Sequence, residues 1–123
     1  MIKVIYSANI IVAGWIGVTS LVHPNYSAST IFSNVYPATD TIRLIGAWWL
    51  SIAIISILGL WRPITFSPIL LVQLLYKSIW LVFVALPAIQ KNQPIPEGMM
   101  WFFIVWILVL PWVIPWKDWL SGF

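Results

Sequence analysis

Four apolar segments leave this chain few folds to choose from: Val4–Val22, Thr41–Trp61, Phe66–Ala88 and Gly98–Trp119. A helix needs about 20 residues, at roughly 1.5 Å per residue, to cross the hydrocarbon core of a bilayer, and each segment meets that length. Of the 123 residues, 62% are hydrophobic and only 7% are charged, whereas a soluble domain carries about 25% charged residues. A β-barrel would instead show shorter stretches of alternating polarity. The expectation is therefore all-α: an integral membrane four-helix bundle, one transmembrane domain over residues 1–123, with the lipid bilayer as its first partner. The first segment reads as a retained helix and not as a signal peptide. Its apolar run is too long, its basic flank is the single Lys3, and no A-x-A site follows it.

The connections refine this picture. Trp61–Thr65 is short, so the second and third segments should be antiparallel neighbours, and Gln90–Pro96 is polar and proline-marked. The long connection, His23–Asp40, contains Ile31, Phe32, Val35 and Tyr36 on one helical face and Ser29, Thr30, Ser33 and Asn34 on the other. That spacing predicts a short interfacial helix in the first outer loop, and Thr39-Asp40 predicts an N-cap for the second segment. With four spans both termini lie on one side. Lys3, Arg62 and Lys117 fall on that side, Arg43 and Lys91 on the other. The excess of basic residues assigns the termini to the cytoplasmic face of a bacterial inner membrane.

Composition also closes several routes to function. There is no cysteine, hence no disulfide, thiol redox chemistry or Cys-ligated metal. Six basic residues spread along the chain do not make a nucleic-acid surface, which needs them clustered. His23 is the sole histidine and lies at the rim of the first segment. No metal-ligand spacing and no nucleophile–base–orienter set is present, so catalytic residues and a cofactor stay unassigned.

What remains is Lys77, the one charge in Phe66–Ala88. It lies about eleven residues from either end, roughly 16 Å, too deep for its side chain to reach the headgroups. A charge at that depth costs roughly 2.5–3.5 kcal/mol and marks a functional candidate. Gln73, Tyr76, Lys77 and Trp80 follow one another at helical spacing on one face. They would form an aromatic-walled polar pocket for an anion, a carbonyl or a quinone-like headgroup. The structural alternative is a buried lysine satisfied by Gln73, a carbonyl or a neighbouring helix. The acidic residues Asp40, Glu97 and Asp118 all sit at segment ends, so no counter-ion is evident. Asn9 is a candidate partner for the amine, although Asn9, Ala13, Gly17 and Ser20 also make the kind of small-residue stripe that packs helices closely. Arg43 and Trp49 open the second segment and are candidate ligand contacts at the mouth of the same cavity, Arg43 also being able to pair with Asp40 or snorkel. The fourth segment carries Trp101, Trp106, Trp112, Trp116 and Trp119; the last three, spaced four and three apart, form an aromatic stripe that suits interface anchoring or, alternatively, a ligand-stacking platform, and Pro111 and Pro115 should bend or unwind this end.

The start of the second segment, Arg43-Leu44-Ile45-Gly46-Ala47 after a longer outer loop, resembles the Arg-x-x-Gly-Ala start of the DoxX-like group of small four-helix membrane proteins. The resemblance covers these residues and the topology. It implies an accessory role linked to quinone-associated redox complexes or to assembly. The leading expectation is an accessory or binding subunit that holds a lipid-soluble or anionic ligand near Lys77, or docks to a larger membrane complex or to copies of itself. Alternatives are an oligomeric anion channel or transporter lined by Lys77 and Arg43, and an intramembrane enzyme using the Lys77 amine.

Overall fold

The computed structural model describes residues 2–37 and 39–121, and these form helices and turns with no strand among them. In chain order the helices are α1 (Ile2–Val22), α2 (Pro24–Thr30), α3 (Asp40–Trp61), α4 (Pro68–Trp80), a π-helical turn (Leu81–Ala85), α5 (Leu86–Gln90), α6 (Glu97–Val113) and α7 (Trp116–Ser121). α4, the π turn and α5 join into one rod, Pro68–Gln90. α1, α3 and this rod are long and apolar enough to cross a membrane, whereas α6 is apolar but shorter.

Each long helix buries one stripe. α1 buries Tyr6, Asn9, Ala13, Gly17 and Ser20, and α3 buries Ile42, Gly46, Trp49, Ala53, Ser56 and Gly59. The spacing of three and four residues is that of one helical face. The other faces point outward with large apolar side chains, including Leu44 at 72% exposure and Phe83 at 74%. Soluble monomers rarely expose contiguous apolar surface on this scale.

Two kinds of helix contact hold the bundle. α1 and α3 cross at glycine: a Cβ on Gly17 would stand 2.6 Å from the Leu50 backbone nitrogen, and one on Gly46 would stand 2.7 Å from Ser20 Cβ. The predicted small-residue stripe is thus a packing seam. Further along, Gly59 lies against the Tyr6 ring, and the Tyr6 hydroxyl donates to the Pro63 carbonyl at 2.6 Å. α4 packs on α6, and large rings span the gap between the two helix pairs. Trp49 of α3 lies 6.0 Å from Tyr76 of α4 and 6.1 Å from Phe103 of α6, measured between ring centres.

One expectation is corrected, and two segments depart from a continuous α-helix. The outer loop does carry a short helix, but over Pro24–Thr30, where proline supplies a favourable first position. Residues 31–36 are turns, because Ser33 and Asn34 adopt positive φ of 52° and 58°. The apolar side is nevertheless turned inward: Phe32 is buried with Ala28 and Ile42, and Ile31 and Tyr36 pack on them. Next, the third segment is not a uniform α-helix. Pro87 has no N–H to give, and its ring crowds the carbonyl four residues back. The helix widens before it, and Leu86 N–H bonds the Leu81 carbonyl five residues away. Last, the fourth segment does not run to residue 119. Pro111 is accommodated inside α6, but Ile114, preceding Pro115, has ψ 130° and ends the helix. α7 restarts at Trp116 and is tied back by a hydrogen bond from Trp119 Nε1 to Ser67 Oγ at 2.8 Å. The start of α3 at Asp40 after Thr39 agrees with the predicted cap position, although Thr39 makes no side-chain cap bond.

Candidate functional site

α4 turns Leu70, Gln73 and Lys77 into the protein interior. Lys77 is 1% exposed. Its Nζ donates to the Tyr76 hydroxyl at 2.9 Å. Adjacent helical residues do not normally face each other, so this bond depends on the lysine stem reaching back over the tyrosine ring. Four rings surround the amine: Tyr76 at 4.6 Å, Trp49 at 5.0 Å, Phe103 at 5.2 Å and Trp106 at 5.7 Å to the ring centres. All lie within the roughly 6 Å reach of a cation–π contact, worth about 0.5–2 kcal/mol each for an ammonium.

The rings occupy the place where a carboxylate would be expected. Among the described residues the ion pair is Arg43–Asp40 at 3.7 Å, with side chains 57% and 98% exposed, which makes it a weak surface pair. Arg43 therefore belongs to the first turn of α3 and not to the lysine cage. The cage also shapes what can approach. Ring faces carry partial negative charge, so they favour an ammonium inside and repel an anion brought in beside it.

An aromatic pocket of about 170 Å³ adjoins the cage. Trp49, Tyr76 and Phe103 belong to both, and Phe32, Tyr36, Ile45, Trp48, Trp80 and Met99 complete the pocket's walls. Its rings meet edge to face: Trp48–Tyr76 at 5.7 Å and Trp80–Phe103 at 5.3 Å. Lys77 thus lies behind the pocket wall, and Tyr76 is the group that connects the two.

Of the residues singled out in the sequence, Lys77, Tyr76, Trp49 and Trp80 come together here. Gln73 lies one turn before Lys77 on the buried face and is 1% exposed, but both its amide atoms lack a hydrogen-bond partner within the described residues. Asn9 Nδ2 is likewise buried without a partner, and no bond joins it to Lys77. Trp106 joins the cage as well. It is 7% exposed and caps the amine, in contrast to Trp112 at 88%. Phe103 and Trp106 are neighbours of Lys77 that sequence reading does not identify. Their i, i+3 spacing on the inward face of α6 was the available signal.

Gln73 supplies a direct test of whether this layer holds anything besides protein. An unpartnered buried polar group costs about 1–3 kcal/mol. Gln73→Leu should therefore raise the thermal unfolding midpoint in detergent. A lowered midpoint would mean that the amide holds a buried water or ligand.

No family model, curated protein or solved structure matches the chain. The case for function therefore rests on three apolar helices of membrane-spanning length and on a buried lysine caged by aromatic rings.

Proposed function

We propose that this chain is a small inner-membrane protein of four spans that binds a lipid-soluble molecule by its carbonyl-bearing ring headgroup and acts as an accessory subunit of a larger membrane complex. One observation carries the reading: the Tyr76 hydroxyl accepts a hydrogen bond from the buried Lys77 amine. Its own O–H is then left to donate. A donor that is itself hydrogen-bonded from behind is polarised and becomes stronger. The pocket is walled by this tyrosine and by edge-to-face rings, which suits a flat, neutral headgroup with an acceptor oxygen. An anion fits less well among ring faces, which disfavours the channel reading.

The membrane setting draws on the outward apolar faces of α1, α3 and the Pro68–Gln90 rod. In this reading α6 is the fourth span. Its 17 residues cover roughly 25 Å, and the bend into α7 brings Trp112 and Trp116 to the headgroup level. α2 and the turns after it then lie at the outer surface. The resemblance of residues 43–47 to the DoxX-like group points to the same accessory role.

Two measurements test this. Tryptophan fluorescence of the purified protein should be quenched saturably by a benzoquinone headgroup such as ubiquinone-0, and an absence of saturable quenching would reject the binding reading. Single cysteines at residues 2 and 121 should react with an impermeant maleimide from the same membrane side, and cysteines at 25 and 92 from the other. Opposite-side labelling of residues 2 and 121 would reject the even span count.

A further inference from the structure

The aromatic pocket does not end at its own walls. A second, mainly apolar groove of about 350 Å³, with Thr39 and Thr41 among its lining residues, continues from it along the seam between α3 and the Pro68–Gln90 rod. Tyr36, Ile45 and Trp80 line both spaces. Beyond them the groove passes Ile42 and Pro37 on one side and Val84 on the other. Size separates the roles of the two spaces. The pocket alone is below the roughly 300–1,000 Å³ of sites that enclose a drug-sized ligand, so it accommodates a single small ring. Pocket and groove together come within that range.

The backbone gives a second, independent reason to look here. Val84 belongs to the π-helical turn Leu81–Ala85, which begins directly after Trp80. Single π turns inside α-helices are frequent at functional sites. This one widens the helix beside the groove, where Val84 stays 43% exposed. Trp80 and Val84, four residues apart, share the face turned to the seam, and α3 supplies Ile42 and Ile45 opposite.

We propose that the α3–α4 seam holds the hydrocarbon tail of the same molecule whose headgroup occupies the aromatic pocket. The ligand is then an amphiphile with a flat polar end and a long apolar chain, and it enters sideways from the bilayer. The proposal rests on the headgroup reading above and adds a separate contact surface to it. Both spaces are mainly apolar; the pocket is walled by Tyr76, whose hydroxyl is held by Lys77, while the groove adds only the Thr39 and Thr41 hydroxyls to the Tyr36 wall that the two spaces share. The orientation follows: ring toward Tyr76, tail past Trp80 and Val84 toward Ile42.

The test compares ubiquinone-0, the bare headgroup, with decylubiquinone, which carries the same ring and a ten-carbon chain. Both are titrated by tryptophan quenching into the intact protein and into Val84→Trp, which fills the groove without touching the cage. Val82→Trp, on the same π turn but absent from the groove lining, controls for added bulk. The expected result is that Val84→Trp weakens decylubiquinone by about tenfold and leaves ubiquinone-0 unchanged, while Val82→Trp changes neither. Because each probe is compared between proteins, its partition into lipid or detergent cancels. Equal loss of both probes, or no loss of either, would overturn the tail site while the headgroup reading stands. Failure of ubiquinone-0 to bind the unsubstituted protein would overturn both.

Discussion

Gly17→Leu should abolish the folded bundle. A Cβ alone at residue 17 would come within 2.6 Å of the Leu50 nitrogen and 2.9 Å of the Gly46 carbonyl oxygen. Both are backbone atoms, so no side chain can rotate aside, and α1 must move off α3. Leucine adds a branched side chain on top of that displacement. Overpacking a core usually costs about 1–3 kcal/mol. Here the loss should exceed that range, because the shift would also separate Ser20 from Gly46 and draw Tyr6 away from Gly59. Even Gly17→Ala should lower the unfolding midpoint markedly. Gly98 is the matched control: a Cβ there meets nothing within 4 Å. Gly98→Ala should be neutral or stabilising by about 0.5–1 kcal/mol, since glycine in a helix costs that much relative to alanine. Thermal unfolding followed by circular dichroism in detergent decides the matter. A Gly17→Leu protein as stable as the parent would mean that α1 and α3 do not cross as described.

Lys77→Met should separate function from stability. Methionine keeps most of the stem's volume and replaces the amine with an atom that needs no partner. Replacing a buried charge with an apolar group of similar size is often neutral or stabilising. The variant should therefore insert and unfold at or above the parent's midpoint. Headgroup binding should fall, because Tyr76 would lose the amine that polarises its hydroxyl. A neutral hydrogen bond contributes about 0.5–1.5 kcal/mol, so weakening the one from Tyr76 should cost up to about tenfold in affinity. Tyr76→Phe should lose a comparable amount by removing the donor itself. In the double variant the losses should not add, since the two groups act through one bond. A stable Lys77→Met protein with unchanged headgroup binding would leave the lysine a packing residue. Failure of that variant to insert would make the cage a structural necessity instead.

Helical class and spanning length were legible in the sequence because both follow from composition and period. Apolar segments with almost no charge must satisfy their backbone groups internally, and helices do so locally. The seam of Gly17 was legible for a similar reason: small residues three and four apart can serve little other than close approach. Local breaks were only partly legible. Pro115 ends α6 as the pattern of prolines implied, but Pro87 acts one turn upstream, where it makes a π turn and not a stop. The outer loop shows the same limit. Its apolar spacing includes Phe32, which is buried, yet Ser33 and Asn34 turn left-handed and break the predicted helix, as the surrounding packing allows and propensity alone does not foretell.

The sequence by itself determined that one ionisable group had to be buried in an apolar interior, and that aromatic residues would be near it. Lys77 sits in the middle of its segment, and no acidic residue lies close to it along any helix. Which rings receive it was decided only by tertiary structure. Trp49, Phe103 and Trp106 come from helices far apart in the chain, and they reach the amine because a glycine crossing draws α3 onto α1 while α6 packs on α4. Helical period places a side chain on a face. Which face of another helix it meets depends on the crossing, and that is a property of the assembled bundle.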